Sequence, residues 1–179
     1  QPPATDYQGY LVDLYSKDAN GVETVYGSIA VDVSTLPDRF PRNGFLSAYG
    51  NMTSQDIADV MSNLNRHHIN YVQFQDWHYK HHKPLAGTPS APMEVWTDII
   101  NRDCYKKTVE GYIEKSHQYG MKSLFYNLAY GALADAADDG VQEEWYLFKD
   151  TKHVLKDCHE LGSPFKSSIY IVNAGNEAW

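Results

Sequence analysis

The chain has 179 residues, of which 42% are hydrophobic and 21% charged, a composition typical of a folded domain and not of a disordered segment. Its formal net charge of −8 argues against a nucleic-acid partner, because affinity for phosphates depends on basic side chains. The sequence has no run of about 20 apolar residues, the length needed to span a bilayer. We therefore expect a neutral ligand and no membrane insertion.

Aromatic residues make up 13% of the chain, with 14 Tyr and 4 Trp. Aromatic rings stack on the apolar faces of sugars, but they also fill protein cores, and we expect packing to explain most of them. Cys104 and Cys158 form no CxxC pattern, which disfavours a zinc or thioredoxin-like site. A disulfide between them and two separate thiols both remain open.

The first 36 residues differ from the rest of the chain. Residues 10–15 and 23–31 alternate, and the intervening Asn20-Gly21 pair is typical of a tight turn, so the pattern predicts a β-hairpin. A lone hairpin is marginally stable in water, and we expect this one to belong to a larger sheet. Pro37 and Pro41 then indicate a domain junction.

From Gly44 onward, predicted strands alternate with predicted helices. Thr53 and Asp56 have the spacing of a capping box, and an apolar stripe follows at Ile57, Val60, Met61 and Leu64, which predicts an amphipathic helix. A second helix includes Val109, Tyr112 and Ile113 and ends at Gly120, a residue type common after a helix. The predicted strands cover residues 44–49, 71–77, 121–128 and 168–173.

Four strands joined by crossovers predict a parallel α/β architecture. The first strand lacks the GxGxxG turn of a dinucleotide-binding fold. Polar and aromatic residues follow the strands instead, as in the mouth of a (β/α)8 barrel, which needs about 250 residues. The fold class we expect is therefore α/β, the first half of a (β/α)8 TIM barrel preceded by a β-hairpin. The strand ends in question carry Asn51, Asp76, Trp77, Asn127 and Asn173.

Several blocks in this order resemble glycoside hydrolase family 66, the endo-dextranases and cycloisomaltooligosaccharide glucanotransferases. The resemblance covers about residues 8–179 and rests on the segments Phe40–Ser47, Leu64–Asn70, Gln73–His82, Gly120–Asn127 and Tyr130–Ala132.

This resemblance implies an immunoglobulin-like N-terminal domain followed by a catalytic barrel. Residues 1–36 are then the last strands of the β-sandwich, and residues 37–179 are the N-terminal half of the barrel. Family members cleave α-1,6-glucan with retention, using an aspartate nucleophile and a glutamate acid/base and no cofactor. Both carboxylates are expected after Trp179, so we assign no catalytic residue within this chain.

The candidate substrate-binding residues lie near the predicted strand ends. We expect the Asp76 carboxylate to accept hydrogen bonds from sugar hydroxyls. Lys80 and His81 are expected to donate hydrogen bonds to sugar hydroxyls and also to keep Asp76 ionised. Core packing is the alternative for the aromatic candidates, and a buried, satisfied amide is the alternative for the asparagines. The full set is Asp76, Trp77, Tyr79, Lys80, His81, Tyr126, Asn127, Tyr130 and Asn173.

Two clusters of titratable residues are candidates for other sites. The histidines at positions 67, 68, 78, 81 and 82 lack the helical pairing of a metal site, and we predict no metal. The acidic residues Asp135, Asp138, Asp139, Glu143 and Glu144 are interpreted as a solvated face.

We therefore expect the parent protein to be a dextranase-like hydrolase. A cycloisomaltooligosaccharide glucanotransferase and a non-catalytic carbohydrate-binding fragment are the alternatives. The partners would be dextran or isomaltooligosaccharides. The location would be secreted, cell-surface or periplasmic in a bacterium, because dextran is too large to enter a cell. Unpaired barrel edges would favour self-association or pairing with the other half of the barrel.

Overall fold

A computed structural model describes residues 3–179. The chain separates into two compact units, the first ending at Arg42 and the second covering Asn43–Trp179. Neither helix in the described part of the chain is long and apolar enough to cross a membrane. The regular elements in chain order are β1 (Gln8–Lys17), β2 (Glu23–Val33), β3 (Asn43–Leu46), α1 (Ser54–Arg66), β4 (Tyr71–Phe74), β5 (Gly87–Thr88), β6 (Ala91–Pro92), β7 (Val95–Thr97), β8 (Asp103–Tyr105), α2 (Lys106–Gln118), β9 (Lys122–Phe125), β10 (Gly131–Ala132), β11 (Cys158–His159) and β12 (Ile169–Ile171).

The first unit contains the predicted hairpin, which is confirmed: β1 and β2 pair antiparallel. In the turn, the Asp18 carboxylate accepts hydrogen bonds from the backbone N–H groups of Asn20 and Val22. Gly21 alone in this turn has a positive φ, of 84°, a conformation that costs glycine little. The turn is therefore made by one glycine and one aspartate side chain.

One face of the hairpin is apolar. Cross-strand partners share a face, and the pairs Tyr10 with Val31 and Val12 with Ile29 place four apolar side chains together. Val12 and Ile29 are exposed. An apolar face of this kind fits the predicted remnant of a β-sandwich, and that assignment stays a prediction.

The second unit contains a parallel sheet with the strand order β3-β4-β9. Helix α1 connects the first two strands, and α2 precedes the third. The capping box at the start of α1 is confirmed, because the Thr53 hydroxyl accepts from the Asp56 N–H and the Asp56 carboxylate accepts from the Thr53 N–H. The end of α2 is also as predicted, with Gly120 at a φ of 71°.

The two faces of this sheet are covered unequally. Leu46, Val72 and Phe74 are buried in one core with Met61 of α1 and Tyr112 of α2. The opposite face carries the register row Phe45, Gln73 and Leu124, in which Phe45 is 63% exposed. The described residues form three parallel strands and no closed barrel.

The prediction that a fourth strand joins the parallel sheet is wrong. Residues 169–171 do form a strand, β12, but it pairs antiparallel with β10 and β11 in a separate sheet. A short apolar run is compatible with either kind of sheet, because its periodicity does not specify the partner. The parallel strands also end earlier than predicted, at Leu46, Phe74 and Phe125.

The antiparallel sheet has its own small core. Its buried members are Ala132, Ala136, Val141, Tyr146 and Val172, and Trp145, Phe148, Tyr170 and Trp179 pack against them. After β9 the chain therefore forms a second, antiparallel sheet, with no α-helix between residues 126 and 179.

Candidate functional site

The three parallel strands end at a common edge of the sheet, and polar residues follow directly. Gln75 and Asp76 come after β4, and Tyr126 and Asn127 come after β9. The carboxyl ends of parallel strands are where barrel enzymes place their binding residues. Asp76 has a φ of 51°, a left-handed conformation that aspartate tolerates better than most residues.

A short chain of hydrogen bonds orients Asp76. Gln73 Nε2 donates to Gln75 Oε1 at 3.0 Å, and Gln75 Nε2 donates to Asp76 Oδ1 at 3.1 Å. Burial raises the pKa of Asp76, and the hydrogen bond from Gln75 opposes that shift. The prediction that Lys80 and His81 hold Asp76 charged is wrong, because both side chains bind other partners.

Lys80 belongs to an ion-paired network. Its Nζ lies 2.6 Å from Asp139 Oδ2 and 2.7 Å from Asp135 Oδ2. Lys83 Nζ lies 2.6 Å from Asp139 Oδ1, and His82 Nε2 lies 3.0 Å from Asp139 Oδ2. We call this set, Lys80, His82, Lys83, Asp135 and Asp139, the charged network. It ties the loop after β4 to the segment after β10.

Asp139 is the centre of the charged network. Burial raises its pKa, but hydrogen bonds from Lys80, Lys83 and His82 outweigh burial and hold that pKa well below its usual range. Its side chain is 12% exposed. The interpretation of the acidic run as a solvated face is therefore wrong for Asp139, although Asp138 and Glu144 are exposed as expected.

The hydrogen bonds of His82 define its tautomer. Its Nδ1 accepts from the Leu133 N–H at 3.2 Å, so the proton of the neutral ring is on Nε2, which donates to Asp139. Burial lowers the pKa of His82, against the opposing effect of Asp139. His82 is thus held as a neutral donor.

Three groups in this network have the composition of a metal site. One ligand atom each from His82, Asp135 and Asp139 lies within 4.8 Å of the others. However, the Lys80 ammonium group already contacts Oδ2 of both carboxylates. An ion-paired network therefore explains the cluster better than a metal ion does.

A second pair, His78 and His81, lies in the same loop. His78 Nε2 and His81 Nδ1 are 2.8 Å apart, and the two residues are 0% and 2% exposed. Burial lowers the pKa of His78 to about 3 and that of His81 to about 4, and the Asn127 side chain opposes the second shift. Both rings are therefore neutral near pH 7.

A cavity of about 470 Å³ opens beside this loop. Trp145 and Trp179 lie nearly perpendicular on its wall, with ring centroids 6.2 Å apart, and Trp179 Nε1 donates to the Ala129 carbonyl at 2.6 Å. We call this cavity the two-tryptophan pocket. Its other lining residues include His81, His82, Asn127 and Asp139.

The family assignment comes from sequence comparison over the whole chain. A model described as "Glycosyl hydrolase family 66" matches residues 1–179. The chain belongs to this family.

Three similar proteins are all cycloisomaltooligosaccharide glucanotransferases. Two cycloisomaltooligosaccharide glucanotransferases from Niallia circulans are 27% and 28% identical over 179 and 177 residues, covering 99% and 98% of this chain. The chain spans only 18% of the length of each. The crystal structure of a cycloisomaltooligosaccharide glucanotransferase from Paenibacillus sp. in complex with cycloisomaltoheptaose is 29% identical, with a TM-score of 0.81, over 99% of this chain and 25% of that one.

In this family 66 chain, Trp77 is placed away from the polar edge. Its ring packs edge-to-face against Trp96 and Phe125 and lines an apolar groove of about 180 Å³ with Val109 and Ile113 of α2. These contacts favour packing, and sugar stacking by Trp77 stays a prediction.

Tyr79, Lys80 and His81 offer little surface to a ligand. The ammonium groups of Lys80 and Lys166 lie 5.1 and 4.3 Å from the centroid of the Tyr79 ring. Lys80 and His81 are themselves buried. Of these three residues, His81 alone lines the two-tryptophan pocket, and contacts of Tyr79 and Lys80 with sugar hydroxyls stay predictions.

The remaining candidates divide between the two sheets. Burial and the nearby Asp76 raise the pKa of Tyr126, which places Tyr126 at the polar edge, and Tyr130 is exposed five residues after β9. The prediction that Asn173 follows a parallel strand is wrong. Asn173 comes after β12, which pairs antiparallel with β10. Its side chain accepts from the Gly175 N–H.

The sequence-based prediction missed the residues that face these candidates from later in the chain. Asp139, Trp145 and Trp179 are each more than 50 positions from the loop residues they approach. No local pattern marks them, because each had a simpler interpretation as solvated charge or core aromatic.

Proposed function

We propose that the parent protein is a retaining glycosidase acting on α-1,6-glucan, and that this chain supplies part of its substrate cleft. The observation that carries the proposal is the polar edge of the parallel sheet, where Gln75, Asp76, Tyr126 and Asn127 follow adjacent strands in a family 66 chain. The similar Paenibacillus structure is a complex with cycloisomaltoheptaose, which supports an oligosaccharide ligand.

The parallel sheet is proposed to be part of a (β/α)8 barrel. Among the described strands, none pairs with the outer edge of β9. Phe125 at that edge is 69% exposed and lines the apolar groove beside α2. A further strand and helix would cover both the edge and the groove, and the open row of Phe45, Gln73 and Leu124 would then form a layer inside the barrel.

Asp76 has a binding and orienting role in this proposal. Retention requires two carboxyl groups about 5–5.5 Å apart, one as nucleophile and one as acid/base, and we expect both on later barrel strands. Among the described residues, Asp76 receives one side-chain hydrogen bond, from Gln75. A partly buried carboxylate fixed in this way can accept a hydroxyl of the sugar ring.

Hydrolase and glucanotransferase share the first half of this reaction. In both, a glycosyl-enzyme ester forms and the bond to the leaving sugar breaks. They differ in the acceptor, which is water for a dextranase and a sugar hydroxyl for a glucanotransferase. The names of the relatives favour the second acceptor. Because dextran is too large to enter a cell, we propose that the parent acts outside the cytoplasm.

The test uses the protein that contains this chain. Asp76→Asn should lower the rate of dextran cleavage by about 10- to 100-fold, the loss expected for one charged hydrogen bond, without changing the denaturant midpoint. Asp59→Asn, an exposed carboxylate on α1, is the matched control and should keep full activity. Separating linear from cyclic products distinguishes the two acceptors. Unchanged activity in Asp76→Asn, or no action on α-1,6-glucan at all, would overturn the proposal.

A further inference from the structure

The two-tryptophan pocket adjoins the polar edge but is built largely by the segment after β9. Its lining runs from His81 and His82 in the loop after β4, through Asn127, to Trp145 and Trp179. A volume of about 470 Å³ lies within the usual range for small-molecule sites, roughly 300–1,000 Å³. The pocket therefore has the size of a ligand site.

The two indole rings contact each other edge-to-face, and a hydrogen bond anchors each tryptophan. Trp179 is fixed by its Nε1 hydrogen bond to Ala129, and the Trp145 carbonyl accepts from the Asn173 N–H at 2.8 Å. Both rings are partly exposed. An indole fixed before the ligand arrives loses little conformational freedom on binding, and its flat apolar face suits the C–H face of a sugar ring.

Two buried polar atoms in the lining lack a hydrogen bond of good geometry. They are Nε2 of His81, which is 2% exposed, and Asn127 Oδ1, although the Asn127 side chain lies near enough to His81 to raise its pKa. Buried polar groups are rarely left unpaired. A sugar hydroxyl can both donate and accept, and so can satisfy either atom.

The charge of the wall selects the class of ligand. Asp139 is the carboxylate in the lining, and Lys80 and Lys83 neutralise it at 2.6 Å. His82 is a neutral donor already bonded to Asp139. With its charges paired internally, the wall favours a neutral polyol over an anion or a metal cation.

We infer that the two-tryptophan pocket binds one glucosyl residue of an α-1,6-linked glucan, with an indole face against the sugar ring and hydroxyl groups at His81 and Asn127. This inference rests on the proposed function for the identity of the glucan. The pocket acts as a subsite beside the polar edge, and it adds affinity for chains long enough to reach it.

The direct test is an NMR titration with isomaltotriose of the protein that contains this chain, ¹⁵N-labelled at its tryptophans, following the indole N–H signals. Those of Trp145 and Trp179 should shift in a saturable manner. The signal of Trp96, whose Nε1 donates to the Trp77 carbonyl at 2.8 Å, is the internal control and should not move.

Variants provide the second measurement, by calorimetry with the same ligand. Trp145→Ala should weaken isomaltotriose binding by at least tenfold. Trp179→Phe should retain part of the affinity, since it keeps an aromatic ring and loses the hydrogen bond to Ala129. Leu155→Ala, at an exposed position in the same part of the chain, is the matched control and should bind normally.

The outcomes separate the pocket from the proposed function. Shifts with maltotriose or cellotriose but not isomaltotriose would uphold a sugar site and contradict the α-1,6-glucan assignment. A loss of activity in Asp76→Asn, with no shift of Trp145 or Trp179 by any of these sugars, would overturn the pocket alone. Unweakened binding in Trp145→Ala would also overturn it.

Discussion

The parallel sheet β3-β4-β9 and the antiparallel sheet β10-β12-β11 lie in the same compact unit, but different contacts stabilise them. The parallel sheet is covered by two helices and shares their core, in which Met61 and Val72 are fully buried. The antiparallel strands have only two or three residues each. Their small core around Tyr146 and Val172 depends on segments that are distant in sequence.

The candidate site needs both regions. The parallel sheet positions Asp76 and Asn127, whereas the antiparallel sheet and its loops bring Asp139, Trp145 and Trp179 towards them. The charged network joins the two, because Lys80 and Lys83 follow β4 and Asp139 follows β10. Because different contacts stabilise the two sheets, a substitution can destabilise one sheet alone, or the charged network that forms the junction between them.

The largest effect is expected at the junction. Asp139→Asn removes the carboxylate that pairs with Lys80, a nearly buried ammonium group. Asp135 still pairs with Lys80 in this variant, but its side chain is half-exposed, so the buried ammonium charge is compensated only in part. We therefore expect the free energy of unfolding to fall by about 2 to 3 kcal/mol. Urea unfolding followed by Trp fluorescence measures this value.

The adjacent carboxylate provides the control for that substitution. Asp138 is exposed, and Asp138→Asn should change the free energy of unfolding by less than about 0.5 kcal/mol. Equal effects of the two substitutions would mean that the charged network contributes nothing beyond general surface charge.

A smaller effect is expected from each histidine of the buried pair on lowering the pH. The unfolded chain takes up protons near the usual histidine pKa of 6.5, whereas the folded chain protonates His78 and His81 only near pH 3 and pH 4. Stability present above pH 6.5 is therefore lost as the pH falls towards these values, by about 1 to 2 kcal/mol for each histidine between pH 6.5 and 5.

His78→Gln isolates this contribution. The variant should show a shallower loss of unfolding free energy between pH 6.5 and 5 than the unmodified chain, as measured by urea unfolding at several pH values. At pH 8 neither histidine is protonated, so the difference in unfolding free energy between the variant and the unmodified protein at that pH gives the pH-independent cost of the substitution. Parallel pH profiles of the two proteins would contradict a buried neutral pair.

Local patterns predicted the parts of the fold that local contacts stabilise. The Asn20-Gly21 turn, the Thr53 capping box and the apolar stripe through Ile57 and Met61 each involve residues a few positions apart, and all are confirmed. The partner of residues 169–171 could not be predicted, because pairing with β10 and β11 depends on chain segments far away. Asp139 was misassigned for the same reason.

The smallest effect tests whether the parallel region can be weakened alone. Thr53→Ala removes the hydroxyl that accepts from the Asp56 N–H at 3.1 Å, and loss of an N-cap costs about 1 kcal/mol. Ser54→Ala, at the neighbouring exposed position, leaves the cap intact and is the control. Since α1 covers the parallel sheet and not the antiparallel one, the indole signals of Trp145 and Trp179 should stay unchanged in Thr53→Ala under native conditions. A shift of those signals would show that the two regions are coupled through more than the charged network.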